Sequence, residues 1–255
     1  MKINSKILLL ILLIINLNSF ASKNELTDIF NIGNTAYKNA DYSLAVEKYK
    51  SIINKGFVNY QVYFNLGNSY FKLKDYPSAI LYYEKAYKLN AADEDIKHNL
   101  KLANKNITDK IEPVPDFFMK KLWLNLLLSF KIDTWAFLSL LFLFFGLALF
   151  IIFIVFNNTV IKKIGFYTAC ISFFGGILSF ILAYQQKSFL TESNSAIIFE
   201  ESLTVKSAPD EKSTQLFVIH EGTKVKIIDS LGEWNKVKLE NGNIGWIKSK
   251  TFQKI

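Results

Sequence analysis

Apolar and polar positions divide this chain into stretches of different character. Ile7 to Ile15, Trp135 to Phe156 and Ile164 to Tyr184 are almost continuously apolar, whereas the stretches between them have the mixed composition of folded soluble segments. The first apolar run is short and follows Lys2 and Lys6. It precedes Ser19-Phe20-Ala21, small residues two apart, so residues 1–21 read as a secretory signal peptide cleaved after Ala21. An uncleaved anchor would need roughly 20 apolar residues. No cysteine follows the run, which excludes a lipoprotein anchor.

The other two runs lie within stretches that carry no formal charge, Thr134 to Ile161 and Ile164 to Gln186, each long enough to span a bilayer. They predict membrane helices at 134–156 and 164–184 with a loop at 157–163. Lysines flank both spans, so charge alone leaves the orientation open. Export of the preceding segment places Lys162-Lys163 in the cytoplasm and returns the C-terminus outside. Ala169, Ser172, Gly175, Gly176 and Ser179 give the second span a face for close packing. Residues 113–133 form a linker and a helix. Phe117, Phe118, Leu122, Trp123, Leu126 and Leu127 beside Lys120 and Lys121 suit either an interfacial helix or one packed on the preceding module.

Between the signal peptide and Pro113 one period stands out. Gly33 and Gly67, Asn34 and Asn68, Asp41 and Asp75, Tyr42 and Tyr76, Ala45 and Ala79, and Tyr49 and Tyr83 all recur at the same interval. That interval matches the tetratricopeptide period of about 34 residues, a pair of helices with glycine and alanine where they approach and tyrosine filling the space between. The expectation is a module over 22–112: repeats at about 26–59 and 60–93, and a capping helix at 94–107 carrying Ile96, Leu100 and Ala103. Pro113-Val114-Pro115 ends it. By resemblance to such modules, the groove of the first helices of each repeat would bind an extended peptide. It would be lined by Phe30, Asn34, Tyr37 and Lys38 and by Phe64, Asn68, Phe71 and Lys72. The asparagine amides would bond the peptide backbone and the lysines a carboxylate; the other reading has both asparagines bonding neighbouring turns or solvent.

From Ser195 the pattern changes to short strands with turn signals, and Asn241-Gly242 between two strands marks a hairpin. A small β-barrel over 195–255 is expected. Leu203 to Pro209, Glu221-Gly222-Thr223, Glu233-Trp234 and Asn241 to Ile247 resemble a bacterial SH3 domain, which implies recognition of cell-wall peptides or proteins. Trp234 and Trp246 are candidates for its groove, although aromatics at strand ends more often join the core. The fold class is therefore multidomain: an all-α tetratricopeptide-repeat module, a two-helix transmembrane hairpin and an all-β SH3-like barrel.

The net charge of +8 arises from lysine alone, for the chain has no arginine. Without guanidinium forks, and with lysines scattered over every soluble segment, a nucleic-acid partner is not expected. The single cysteine, Cys170, lies in the second membrane run and only two histidines are present, so neither a disulfide framework nor a metal site is expected. The chain has no GxSxG, HExxH or phosphate-binding loop, and is read as a protein without catalytic residues or cofactors.

The order of these parts resembles the BatE-type proteins of aerotolerance operons. Asp93-Glu94-Asp95-Ile96-Lys97-His98-Asn99-Leu100 and Asp109-Lys110-Ile111-Glu112-Pro113-Val114-Pro115 join them. That resemblance implies a scaffold in the bacterial inner membrane, both soluble modules on the extracytoplasmic (periplasmic) side. Its partners would be other Bat-type membrane proteins bearing von Willebrand factor A domains, alongside a MoxR-type ATPase. The competing reading is a wall-sensing receptor whose barrel binds peptidoglycan. The short loop 157–163 leaves no room for a cytoplasmic output domain, which favours the scaffold.

Overall fold

The computed structural model describes residues 25–112, 114, 118–191 and 194–255; the signal peptide expected over 1–21 lies outside them. The chain forms two compact units. One combines the residues up to Leu89 with Asp93–Glu112 and Ser195–Ile255; the other holds Asn90–Ala92 and Pro113–Asn194.

The first unit begins with five helices: α1 (25–38), α2 (Tyr42–Asn54), α3 (Tyr60–Lys72), α4 (Tyr76–Leu89) and α5 (Glu94–Asn104). The repeat period reappears in their geometry. Asp41 and Asp75 each accept a hydrogen bond from the backbone N–H three residues on, capping α2 and α4. Ala40 and Lys74 both take positive φ, 61° and 62°, in the turn before each cap. Tyr49 and Tyr83 are fully buried behind Gly33 and Gly67.

α5 continues the same register. Its cap Asp93 stands one full period after Asn59, the cap of α3, and both accept from the N–H two residues on. The helix expected as a cap over 94–107 runs over Glu94–Asn104 and keeps the register of α3, Asn99 bonding Asn68 as Asn65 bonds Asn34.

Seven antiparallel strands complete this unit: β1 (Ser195–Ile198), β2 (Ser202–Lys206), β3 (Gln215–His220), β4 (Lys224–Leu231), β5 (Trp234–Leu239), β6 (Ile244–Lys248) and β7 (Phe252–Lys254). They lie in the order β3-β2-β6-β5-β4-β1-β7. Gly242, at φ 92°, makes the turn between β5 and β6 that Asn241-Gly242 announced. Ala196 and Ile198 point into the core of the sheet with Val205, Ile219, Val225, Val237 and Ile247. Ile197, on the other face of β1, joins the core of the helical repeats beside Ile80 and Tyr83. A strand buried on both faces is covered on both, and here α4 supplies the second cover. That explains why α4 buries Ile80, Leu81, Tyr83 and even Glu84.

Polar bonds frame this apolar seam. Lys224 Nζ reaches Glu84 Oε1 at 2.7 Å. Burial works against the Lys224 charge, but attraction to Glu84, the hydrogen bond with it and the nearby Glu240 and Tyr87 together outweigh it, so its pKa is raised. Asp109, beyond α5, accepts from the His220 backbone N–H at 2.7 Å and from Thr223 Oγ1 at 2.6 Å. Its second oxygen meets His220 Nδ1 at 2.8 Å. Gly222 turns at φ +83° with Ile107 so close that a Cβ would sit 2.4 Å from its Cγ2. Repeats and sheet therefore share one folded core.

The second unit comprises α6 (Phe118–Leu127), α7 (Ile132–Val155) and α8 (Thr159–Thr191). α7 and α8 are each long and apolar enough to cross a membrane, with mean hydropathies of 3.1 and 1.9. They pair through small residues of α8 at heptad-like spacing: Gly165, Ala169, Ser172, Gly176, Ser179 and Ala183 are all buried. Ser172 Oγ donates to the Phe142 carbonyl across the pair at 2.7 Å, and a Cβ on Gly176 would stand 3.4 Å from the Ser139 carbonyl. Gly175 is only half-buried, against Phe142. The turn between the helices is shorter than the loop expected over 157–163. Asn158 caps α8 by accepting from the N–H groups of Val160 and Ile161, so Lys162 and Lys163 lie within its first turns.

Candidate functional site

The candidate groove residues lie on α1 and α3, at equivalent positions. Lys38 and Lys72 are exposed. Phe30 and Phe64 are half-buried and lean on Tyr49 and Tyr83, ring centroids 5.9 Å apart in both cases. Tyr37 and Phe71 make edge contacts with Tyr42 and Tyr76 at 5.4 and 5.6 Å. All four aromatics pack against the core, so they brace the helix pairs and offer a groove only their outer edges.

The asparagines make defined internal bonds. Tyr49 Oη donates to Asn34 Oδ1 at 2.8 Å, and Asn65 Nδ2 donates to the same oxygen at 3.0 Å. One period later Tyr83 Oη and Asn99 Nδ2 donate to Asn68 Oδ1 at 2.7 and 2.8 Å. Burial pushes the Tyr49 phenol up to about 12, only partly offset by its hydrogen bond with Asn65, and burial raises Tyr83 likewise. Both phenols therefore stay protonated throughout the neutral range and able to donate to the asparagine oxygens.

With each Asn34 and Asn68 oxygen engaged twice, Nδ2 is the atom of these side chains with capacity for a ligand. On Asn65 and Asn99, Nδ2 is engaged and Oδ1 carries the remaining capacity. Each pair thus sets an amino group beside a carbonyl, the complement of a backbone amide. Asn34 and Asn68 bond side chains of neighbouring helices within the repeats. Asn65 and Asn99 escaped the sequence reading although Asn31, Asn65 and Asn99 share the repeat interval.

On the sheet, Trp234 is 9% exposed and sits under Lys248, with Nζ 5.6 Å from its ring centroid. Trp234 and Trp246 lie on the same face of β5 and β6, opposite Val237 and Ile247 of the sheet core. Trp246 is half-exposed, with Lys236 Nζ 6.0 Å from its ring centroid.

Two family comparisons agree with this architecture: the bacterial SH3 domain matches residues 201–253 and the tetratricopeptide repeat matches residues 60–92. A search of curated proteins finds no match. The matched repeat spans α3 and α4, and α1 with α2 reproduces its contacts one period earlier. The chain thus carries a tetratricopeptide-repeat region and a bacterial SH3 domain, separated in sequence by two helices each able to cross a membrane.

Proposed function

We propose that this protein is a non-enzymatic, membrane-anchored scaffold that holds a protein partner in the groove of its repeat helices, within a Bat-type envelope or stress-tolerance assembly. The observation that carries this reading is the pair of amide dyads, Asn34 with Asn65 and Asn68 with Asn99, repeated one period apart. Each dyad offers the amino group of Asn34 or Asn68 and the carbonyl of Asn65 or Asn99 to a peptide backbone, the mode of recognition that extended peptides require. The exposed Lys38 and Lys72 would add attraction for an acidic segment.

Aspartate at 34 and 68 keeps the internal acceptor and removes the outward donor; alanine removes both. The Asn34→Ala/Asn68→Ala protein is expected to lose about 1–3 kcal/mol of stability per site, because each leaves a buried tyrosine hydroxyl unsatisfied. The Asn34→Asp/Asn68→Asp protein should stay folded and fail to retain its membrane partners in co-purification. Lys38→Glu with Lys72→Glu should weaken retention of an acidic partner in a salt-dependent way. Full retention by the folded aspartate variant would move the interaction to the sheet or the membrane helices.

Both soluble modules share one side of the membrane in this reading. A common core for repeats and sheet supports that arrangement, because a bilayer cannot separate two parts that pack together. The signal-peptide reading of the N-terminus makes it the extracytoplasmic face of a bacterial inner membrane. Alkaline phosphatase fused after Ile255 should be active and green fluorescent protein at the same point dark; the reverse would reject the topology.

A further inference from the structure

α6 carries a large apolar surface that its own packing does not use. Leu124 and Leu127 hold it against Trp135, Leu182 and Ala183 of the hairpin. Met119, Leu122, Trp123 and Leu126, at spacings of three, four and seven, remain exposed, Met119 to 60%. Turning about 100° per residue sets this stripe on one flank of the packed line and Asn125 on the other. A helix with one flank apolar and the other polar is suited to a boundary between two solvents.

Three hydrogen bonds fix the level of that boundary. Trp123 Nε1 donates to Gln185 Oε1 at 3.1 Å, Gln186 Nε2 to the Phe130 carbonyl at 2.9 Å, and Trp135 Nε1 to the Leu127 carbonyl at 3.3 Å. Gln185 and Gln186 directly follow the apolar run of α8 and precede Lys187, while Trp135 lies one turn past Lys131, where the apolar surface of α7 begins. α6 is therefore tied to the hairpin where apolar side chains give way to charged ones, and its exposed stripe continues the apolar surface of the spans. Trp123 and Trp135, each with a bonded indole N–H, stand where such rings favour a membrane interface.

We infer that α6 is an interfacial helix whose Met119, Leu122, Trp123 and Leu126 flank lies in lipid, in the boundary layer of the leaflet at the Lys131 and Lys187 end of the hairpin. The inference rests on the reading of α7 and α8 as a membrane hairpin. Its occupant is the bilayer, because the tethers hold the apolar stripe at the end of the two apolar spans, the level at which lipid would cover them in that reading.

The native Cys170, exposed within the apolar run of α8, makes the two readings separable. The full chain labelled there with a nitrobenzoxadiazole fluorophore, in phosphatidylethanolamine–phosphatidylglycerol vesicles, should be quenched by lipids spin-labelled deep in the acyl chains. In the Cys170→Ala background, a label at Met119→Cys should show blue-shifted emission. It should be quenched roughly twofold better by shallow than by deep spin labels, as expected for a depth of about 5–10 Å. A label at Asn125→Cys should remain water-like. Deep quenching at Cys170 with a water-like Met119→Cys label would overturn the interfacial assignment and leave the hairpin standing. A blue-shifted Met119→Cys label that neither spin label quenches would overturn it in favour of protein cover. A water-like Cys170 label would remove the hairpin and this inference with it.

Discussion

Leucine in place of Gly67 should lower the thermal stability of the repeat helices by more than about 3 kcal/mol, beyond the usual cost of overpacking. A Cβ at this position would stand 2.6 Å from Tyr83 Cδ1 and 2.7 Å from Cε1, well inside contact distance. Tyr83 cannot yield, because its ring is 1% exposed and its hydroxyl is tied to Asn68. α3 and α4 must therefore separate, and the Asn68–Asn99 bond would open with them. For a cooperative unit of roughly 150 residues such a loss corresponds to a drop in melting temperature of roughly 6–12 °C. Gly33→Leu meets Tyr49 at 2.7 Å and should destabilise in the same direction. Gly175→Ala is the control, its Cβ falling at an ordinary 3.5 Å from Phe142. Near-ultraviolet circular dichroism of the intact chain follows the buried tyrosines through the melt. An unchanged melt for Gly67→Leu would mean that the helices do not meet at this glycine.

The intact chain is the right object for that measurement, and the reason marks what the sequence could and could not convey. Contacts within one period were legible, because Gly33 with Tyr49 and Gly67 with Tyr83 repeat as a pattern and that spacing has one structural meaning. Bonds from one repeat to the next were harder to read. Asn65 and Asn99 look like any polar helical residue until their distance of 31 from Asn34 and Asn68 is translated into neighbouring turns. The seam between repeats and sheet was invisible. Ala196-Ile197-Ile198 signals a buried strand without saying what covers its second face, and Glu84 and Asp109 resemble surface carboxylates until Lys224, His220 and Thr223 arrive from more than a hundred residues away. A fragment ending at residue 112 would lack Ile197 and expose part of the core of α4. The short β7 and the shortened turn before α8 escaped for a simpler reason, having too few residues to carry a period.

Asp109→Ala should release this seam and split one unfolding transition into two, the sheet parting from the repeats before either melts. The substitution removes the acceptor for Thr223 Oγ1 and the His220 N–H, and the oxygen facing His220 Nδ1. Bonds to a charged acceptor contribute about 1.5–3 kcal/mol each, so a net loss of about 3 kcal/mol is expected once the remaining groups rehydrate. Burial alone would raise the Asp109 pKa, but hydrogen bonds from Thr223 and from the His220 ring and backbone together hold it below the usual carboxylate value. A carboxyl depressed in the folded state stabilises at all pH values above its unfolded pKa, and that contribution fades as pH falls through the folded one. In the wild-type chain the seam should therefore be intact at neutral pH and weaken only below about pH 4. The Asp109→Ala chain should lack that acid-dependent loss. The effect should also reach the groove. Asp109 fixes the chain leaving α5, and α5 holds Asn99 against Asn68, so releasing it should reduce partner retention although Asp109 lies on none of the groove helices. Single-transition melting of Asp109→Ala, with the acid response of the wild type preserved, would show that the apolar contacts of Ile197, Ile80 and Ile107 hold the seam without it.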